Sequence, residues 1–139
     1  MTDAPAAVFR HSLDLLLAHD MHGYLDLWHD DAVTEFPFAP PGSPRRLDGI
    51  TAITAHLIDY PRIIRLAEVA VVALHETADP HVVIAEFNAS GTVVATGKPY
   101  QMSYIVVLTV TNGKIAHYRD YWNPTVALAA LGADMLSLR

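Results

Sequence analysis

Asn112-Gly113-Lys114-Ile115-Ala116-His117-Tyr118-Arg119-Asp120-Tyr121-Trp122-Asn123-Pro124 decides how this chain is read. Asn-Gly accommodates the two positive φ angles of a tight hairpin turn, so the β-branched and aromatic runs on either side, Tyr100–Thr111 and Lys114–Trp122, should pair antiparallel. Asn123-Pro124 then has the form of a helix N-cap followed by proline in the first turn, and predicts a short helix to about Leu131, stopped by Gly132. Strand alternation puts Tyr118, Asp120 and Trp122 on one face and His117, Arg119 and Tyr121 on the other.

Upstream, Leu66–His75 and Val82–Ala89 are further strand candidates. The first half of the chain changes period. After a polar lead-in from Thr2 to Pro5, apolar spacing predicts a helix over residues 6–19. A second helix over 21–28 is capped by Asp20. Ala32–Phe38 reads as a strand that Pro37 places at an edge or brings to an end. Pro40-Pro41-Gly42-Ser43-Pro44 is a rigid loop, and Asp48 is a candidate cap for a third helix that runs from Gly49 to about Tyr60 and stops at Pro61. Helices first and then antiparallel strands give an α+β domain: a curved antiparallel sheet wrapped over N-terminal helices, a cone with an internal pocket.

The totals bound the function. The chain has 139 residues, enough for one domain spanning 1–139, with 52% apolar and 17% charged residues. A formal net charge of −6, with no basic cluster beyond Arg45-Arg46, argues against a nucleic-acid partner. Cysteine is absent, which excludes disulfides and thiolate metal sites. No apolar run approaches the ~20 residues of a membrane span, and Met1–Ala7 lacks the features of a signal peptide, so a cytoplasmic location is expected. Eight histidines raise the question of a metal, but the clusters His19-Met21-His22 and His29-Asp30-Asp31 fit ordinary polar helix ends, and no metal is expected. No phosphate loop, dinucleotide fingerprint or nucleophile triad is present, so no cofactor is implied.

Glu35-Phe36-Pro37-Phe38-Ala39-Pro40-Pro41-Gly42, Asp48-Gly49-Ile50, Asn112-Gly113-Lys114-Ile115 and Tyr118-Arg119-Asp120-Tyr121-Trp122-Asn123-Pro124 together resemble the SnoaL-like branch of the nuclear transport factor 2-like superfamily, the ketosteroid isomerase-like fold. The tail, with Ala130-Leu131-Gly132, is similar to the phenazine-biosynthesis A/B proteins. The resemblance implies a pocket inside the cone, but the fold hosts isomerases, dehydratases, cyclases, epoxide hydrolases and non-catalytic binders. Phe36 stands where ketosteroid isomerases carry their base. Glu86-Phe87-Asn88-Ala89 lacks the Arg and Asp that limonene epoxide hydrolases pair with their equivalent of Asp120. The phenazine-type comparison implies a carboxylate at Asp120, a helix histidine near His56 and a strand tyrosine at Tyr100.

Asp120 is therefore the leading acid/base candidate, since a carboxyl among aromatic rings is poised to exchange protons near neutral pH; pairing with an arginine is its structural alternative. His56, beside the apolar face made by Ile50 and Ile53, is either a packed rim residue or the second member of an acid–base couple. Tyr100 shares a strand face with Tyr104, as a hydrogen-bond donor to ligand or as plain core. Tyr24, Trp28, Phe36, Phe38, Tyr104, Tyr118 and Trp122 are the expected lining. Arg45-Arg46 fits a solvated loop or an anion contact at the pocket mouth. The expected activity is cofactor-independent acid–base chemistry (isomerisation, cyclisation, dehydration or assisted condensation) on an apolar or aromatic small molecule. A non-catalytic binding protein and a structural dimer module are the alternatives. A homodimer is expected through the non-pocket face of the sheet.

Overall fold

The computed structural model describes residues 4–136, so Thr2 and Asp3 of the expected lead-in lie outside the described residues. Helix α1 (Pro5–Leu17) starts on proline and buries Val8, Phe9, Ser12 and Leu13. His19, at φ 59°, turns the chain out of it. In α2 (Met21–Leu25) the Asp20 side chain accepts from the Gly23 N–H at 2.9 Å, as the cap reading required. This helix stops earlier than expected, because Trp28 is already strand, paired with Ile115. Pairing across the sheet overrides the local helical pattern.

Strand β1 (Trp28–Glu35) ends before Pro37, but it is not an edge strand. It lies between β2 (Arg46–Asp48) and β6 in the order β2-β1-β6-β5-β4-β3. The β1–β6 pair is parallel, an exception within the curved, otherwise antiparallel sheet that was expected. Because Asp48 belongs to β2, it does not cap the next helix. Gly49 takes that position at φ 86° with no side-chain cap. Helix α3 (Ile50–Leu57) is followed by a separate turn, α4 (Tyr60–Ile63), in which Pro61 sits in the first turn rather than ending α3.

Strands β3 (Ile64–Glu76), β4 (Val82–Val93) and β5 (Pro99–Thr111) are long antiparallel neighbours, and β6 (Lys114–Trp122) follows β5 through the predicted turn, with Asn112 at φ 52° and Gly113 at φ 75°. Register shifts between Leu66 and Glu68 and between Val71 and Ala73 bend the outer part of the sheet. The bend brings β3 so close to β4 that a Cβ on Gly91 would sit 2.0 Å from the Arg65 carbonyl oxygen. The concave face, carrying Phe87, Tyr104, Val106 and Leu108, receives α1: the rings of Phe9 and Phe87 lie 5.3 Å apart and Phe87 stacks on Tyr104 at 4.9 Å. Helix α5 (Pro124–Leu136) opens on the expected cap, the Asn123 carbonyl oxygen accepting from the Thr125 N–H at 2.9 Å. Gly132, at φ 77° and ψ 163°, leaves helical geometry, so the helix that opens at Pro124 breaks where a stop was expected and a further turn follows.

Candidate functional site

The bent sheet and the helices enclose a cleft, partly open to solvent, with a cavity volume of about 70 Å³. Every element except β2 and α5 contributes to its wall. Leu13 and Leu16 come from α1, Met21 and Tyr24 from α2, Trp28 and Thr34 from β1, Leu57 and Tyr60 from α3 and α4, Phe87 and Tyr104 from β4 and β5, and Tyr118 and Asp120 from β6. Phe36, Leu66, Val69 and Ala89 complete it.

Polar groups gather at one side. Asp120 places its Oδ1 out of reach of solvent. Burial pushes the Tyr24 phenol far above its ordinary range, and the Asp120 charge adds to this. The Tyr118 phenol is raised by the same burial, then by Tyr24 and Asp120. Both phenols therefore stay protonated near neutral pH and act as donors. Thr34, buried, donates to the Tyr118 backbone carbonyl at 3.0 Å and locks β1 to β6 behind the site. The ring of Trp28 lies 5.2 Å from that of Tyr118 and 6.0 Å from that of Tyr24.

The structure brings together Tyr24, Trp28, Phe36, Tyr104, Tyr118 and Asp120 as lining. It does not bring in the others. Phe38 is 58% exposed and meets Tyr121 edge-on on the outer face. Trp122 is buried at the end of β6 beside an outer groove. Tyr100 is fully buried behind the wall, its hydroxyl 2.6 Å from that of Tyr104. His56 stands in the last turn of α3 with its ring 5.5 Å from Phe36, behind the lining. Arg45 donates to the Pro37 carbonyl, and Arg46 pairs with Glu35 and Asp48, so neither stands at the mouth. Tyr60 and Thr34 were not anticipated, nor were the aliphatic wall residues or Phe87. For Tyr60 the available signal was an aromatic residue directly before a proline between helix and strand.

On the outer face, Glu35 accepts from Arg46, His117 and Arg119 at 3.2, 3.2 and 3.3 Å. Val72 (62% exposed), Ile105 (45%) and Phe38 form an apolar strip on this face, beside Tyr121. Among the described residues no cluster of three His, Asp or Glu side chains is arranged to hold a metal, and no helix is long and apolar enough to cross a membrane.

Residues 9–118 match the SnoaL-like domain family. YesE of Bacillus subtilis, an uncharacterised protein, is 43% identical over 127 residues, which cover 91% of this chain and 86% of YesE. An uncharacterised PhzA/B-like protein of Pseudomonas aeruginosa is 42% identical over 124 residues, 88% of this chain and 86% of its own. Among solved structures, a Bacillus subtilis protein provisionally named an isomerase superposes with a TM-score of 0.91 at 42% identity, over 95% of each chain. A Mycobacterium tuberculosis protein in complex with estradiol-17β-hemisuccinate shares the fold at TM-score 0.76 and 22% identity, over 89% of this chain and 98% of its own.

Proposed function

The chain belongs to the SnoaL-like domain family, and from that premise we propose that it is a cofactor-independent acid–base enzyme acting on an apolar or aromatic small molecule. One observation carries the reading: a carboxylate, Asp120, lines a cavity whose other polar side chains are hydroxyls and an indole, and whose remaining wall is hydrocarbon and aromatic ring. In such a cavity the carboxylate takes a proton from a carbon next to a carbonyl, the electron pair moves to the carbonyl oxygen, and the proton returns at the same or a conjugated carbon. His56, whose ring lies 5.5 Å from that of Phe36 in the wall, is the proposed second member of the acid–base couple with Asp120. Tyr100 acts through Tyr104. The steroid ester bound by the Mycobacterium tuberculosis relative supports a ligand of fused-ring character.

The experiment is deuterium incorporation from D2O at the α-carbon of cyclic ketones such as 1-tetralone, followed by NMR. Asp120→Asn should slow exchange about a hundredfold or more. Equal rates in the two proteins would remove Asp120 from the chemistry. The second reading, a non-catalytic binding protein, is favoured by Phe36, which occupies the isomerase base position in the wall. Ring ketones that stabilise the fold without any exchange select it.

We also propose a homodimer through the outer face, where Phe38, Val72 and Ile105 form an apolar strip beside Tyr121 and Glu86. The strip offers a two-fold partner hydrocarbon to bury against its own copy of the same strip.

A further inference from the structure

Two features of the cavity wall are left unused by the acid–base reading: its charge and its rings. Among the described lining residues Asp120 is the one charged side chain, with no Lys, Arg or His beside it. Aromatic rings reach the wall from α2, β1, α4, β4, β5 and β6. They crowd together around Trp28, whose ring centroid lies 6.0 Å from that of Tyr24 and 5.2 Å from that of Tyr118. The three planes are tilted by 60° and 32°, so they make a corner and not a flat stack. Tyr118 and Asp120 share one face of β6, opposite Leu108 and Val106 of β5, which sets the corner next to the carboxylate. The Asp120 charge is felt by both the Tyr24 and the Tyr118 phenols.

The charge of a ligand decides how well it suits such a wall. A neutral molecule that fills the cavity strips water from a carboxylate and returns nothing for the lost hydration. An anion adds repulsion in a site where charges are poorly screened. A cation meets the opposite charge at Asp120 and the negative faces of the rings, of which indole attracts most strongly. A methylated ammonium suits best, because its outer surface is hydrocarbon and its charge is spread over the methyl groups. The half-buried members of the wall, Leu16, Leu57, Tyr60 and Val69, mark the mouth and give the rest of the ligand an apolar rim. A net charge of −6 favours the approach of a cation from solution.

We propose that the cavity binds an organic cation, with a methylated ammonium head among Tyr24, Trp28 and Tyr118 beside Asp120 and an apolar or aromatic body toward the mouth. This rests on the cavity of the acid–base reading being the ligand site, and on nothing in its chemistry. The cation is a ligand there, not a substrate for proton abstraction.

The test compares three probes of the full chain by fluorescence or NMR titration. They are benzyltrimethylammonium, its uncharged isostere neopentylbenzene, and phenylacetate. The wild type should prefer the cation to the isostere by about tenfold or more, the scale of a desolvated cation over aromatic faces, and should bind phenylacetate most weakly. Asp120→Asn keeps the shape and removes the charge, and should lower the preference severalfold. Trp28→Phe keeps a ring with a weaker face and should retain only part of it. A readout needing no variant guards against misfolding: ring currents should move the N-methyl proton resonance of the cation upfield when it is bound to wild type. An isostere or phenylacetate bound as tightly as the cation, an unshifted N-methyl resonance, or an Asp120→Asn protein with its preference intact overturns the proposal. Cation preference without α-proton exchange on any ketone would sink the acid–base reading alone. Exchange that depends on Asp120, with the isostere bound as tightly as the cation, would sink the cation site alone.

Discussion

Tyr24 and Tyr118 behave as they do because they are buried beside a carboxylate. Both phenols titrate above their unfolded value, so the stability they contribute is fully present below about pH 10 and is lost as pH rises above it, where the unfolded chain releases phenol protons that the folded chain retains. Phenolate absorbance during an alkaline titration should therefore show that these two of the six tyrosines ionise only together with the loss of near-ultraviolet dichroism. Ionisation of all six before any unfolding would contradict this. At this scale much was legible. The period-two alternation on β6 put Tyr118 and Asp120 on one face and Arg119 on the other, and the side chains follow it. Tyr24 was legible as lining but not as a donor, because its neighbour Tyr118 comes from a strand far away in sequence, and Trp28, only four residues on, lies on a strand where a helix was expected. Phe38 was misread, since a residue beyond the end of β1 no longer obeys the strand's alternation.

At the scale of elements, local chemistry predicted what local chemistry controls. The Asn112-Gly113 turn and the caps at Asp20 and Asn123 are formed by groups within a few residues of one another. The parallel pairing of β1 with β6 has no local signal: both strands read as β, and only their meeting decides direction. Strand β2 was hidden because three residues cannot display a period, and they are strand only through their register against Val33, Thr34 and Glu35. Two substitutions probe this level. Gly113→Ala, at φ 75°, should cost about 1 kcal/mol through its left-handed backbone. Gly91→Ala should cost more, about 3 kcal/mol, because the new methyl group meets the Arg65 backbone carbonyl and a strand must move to admit it. Chemical denaturation of both variants gives the comparison, and an equal or reversed order would mean that the β3–β4 contact is soft.

The whole molecule presents one concave face filled by helices and one convex face left open. Sedimentation should find a dimer at micromolar concentration, and Val72→Lys, whose side chain is 62% exposed and so is free to change without disturbing the core, should shift the protein to monomer while its circular dichroism spectrum remains that of the folded chain. A wild-type monomer at that concentration would remove the dimer proposal. The Glu35 cluster with Arg46, His117 and Arg119 explains why the outer face needs no further cation partner at its β2 end.

The union of β1 with β6 also sets a timetable. Thr34 bonds to the carbonyl of Tyr118, 84 positions later in the chain, and the cavity wall is not closed until the two strands meet. A ribosome delivers Trp28 and Phe36 long before it delivers their cover. During that interval the first two helices carry an apolar surface with nowhere to go, and the nascent chain must be shielded or kept slow to collapse until its last strand emerges. The arrangement that makes the pocket thus also makes the protein unable to assemble it piecemeal.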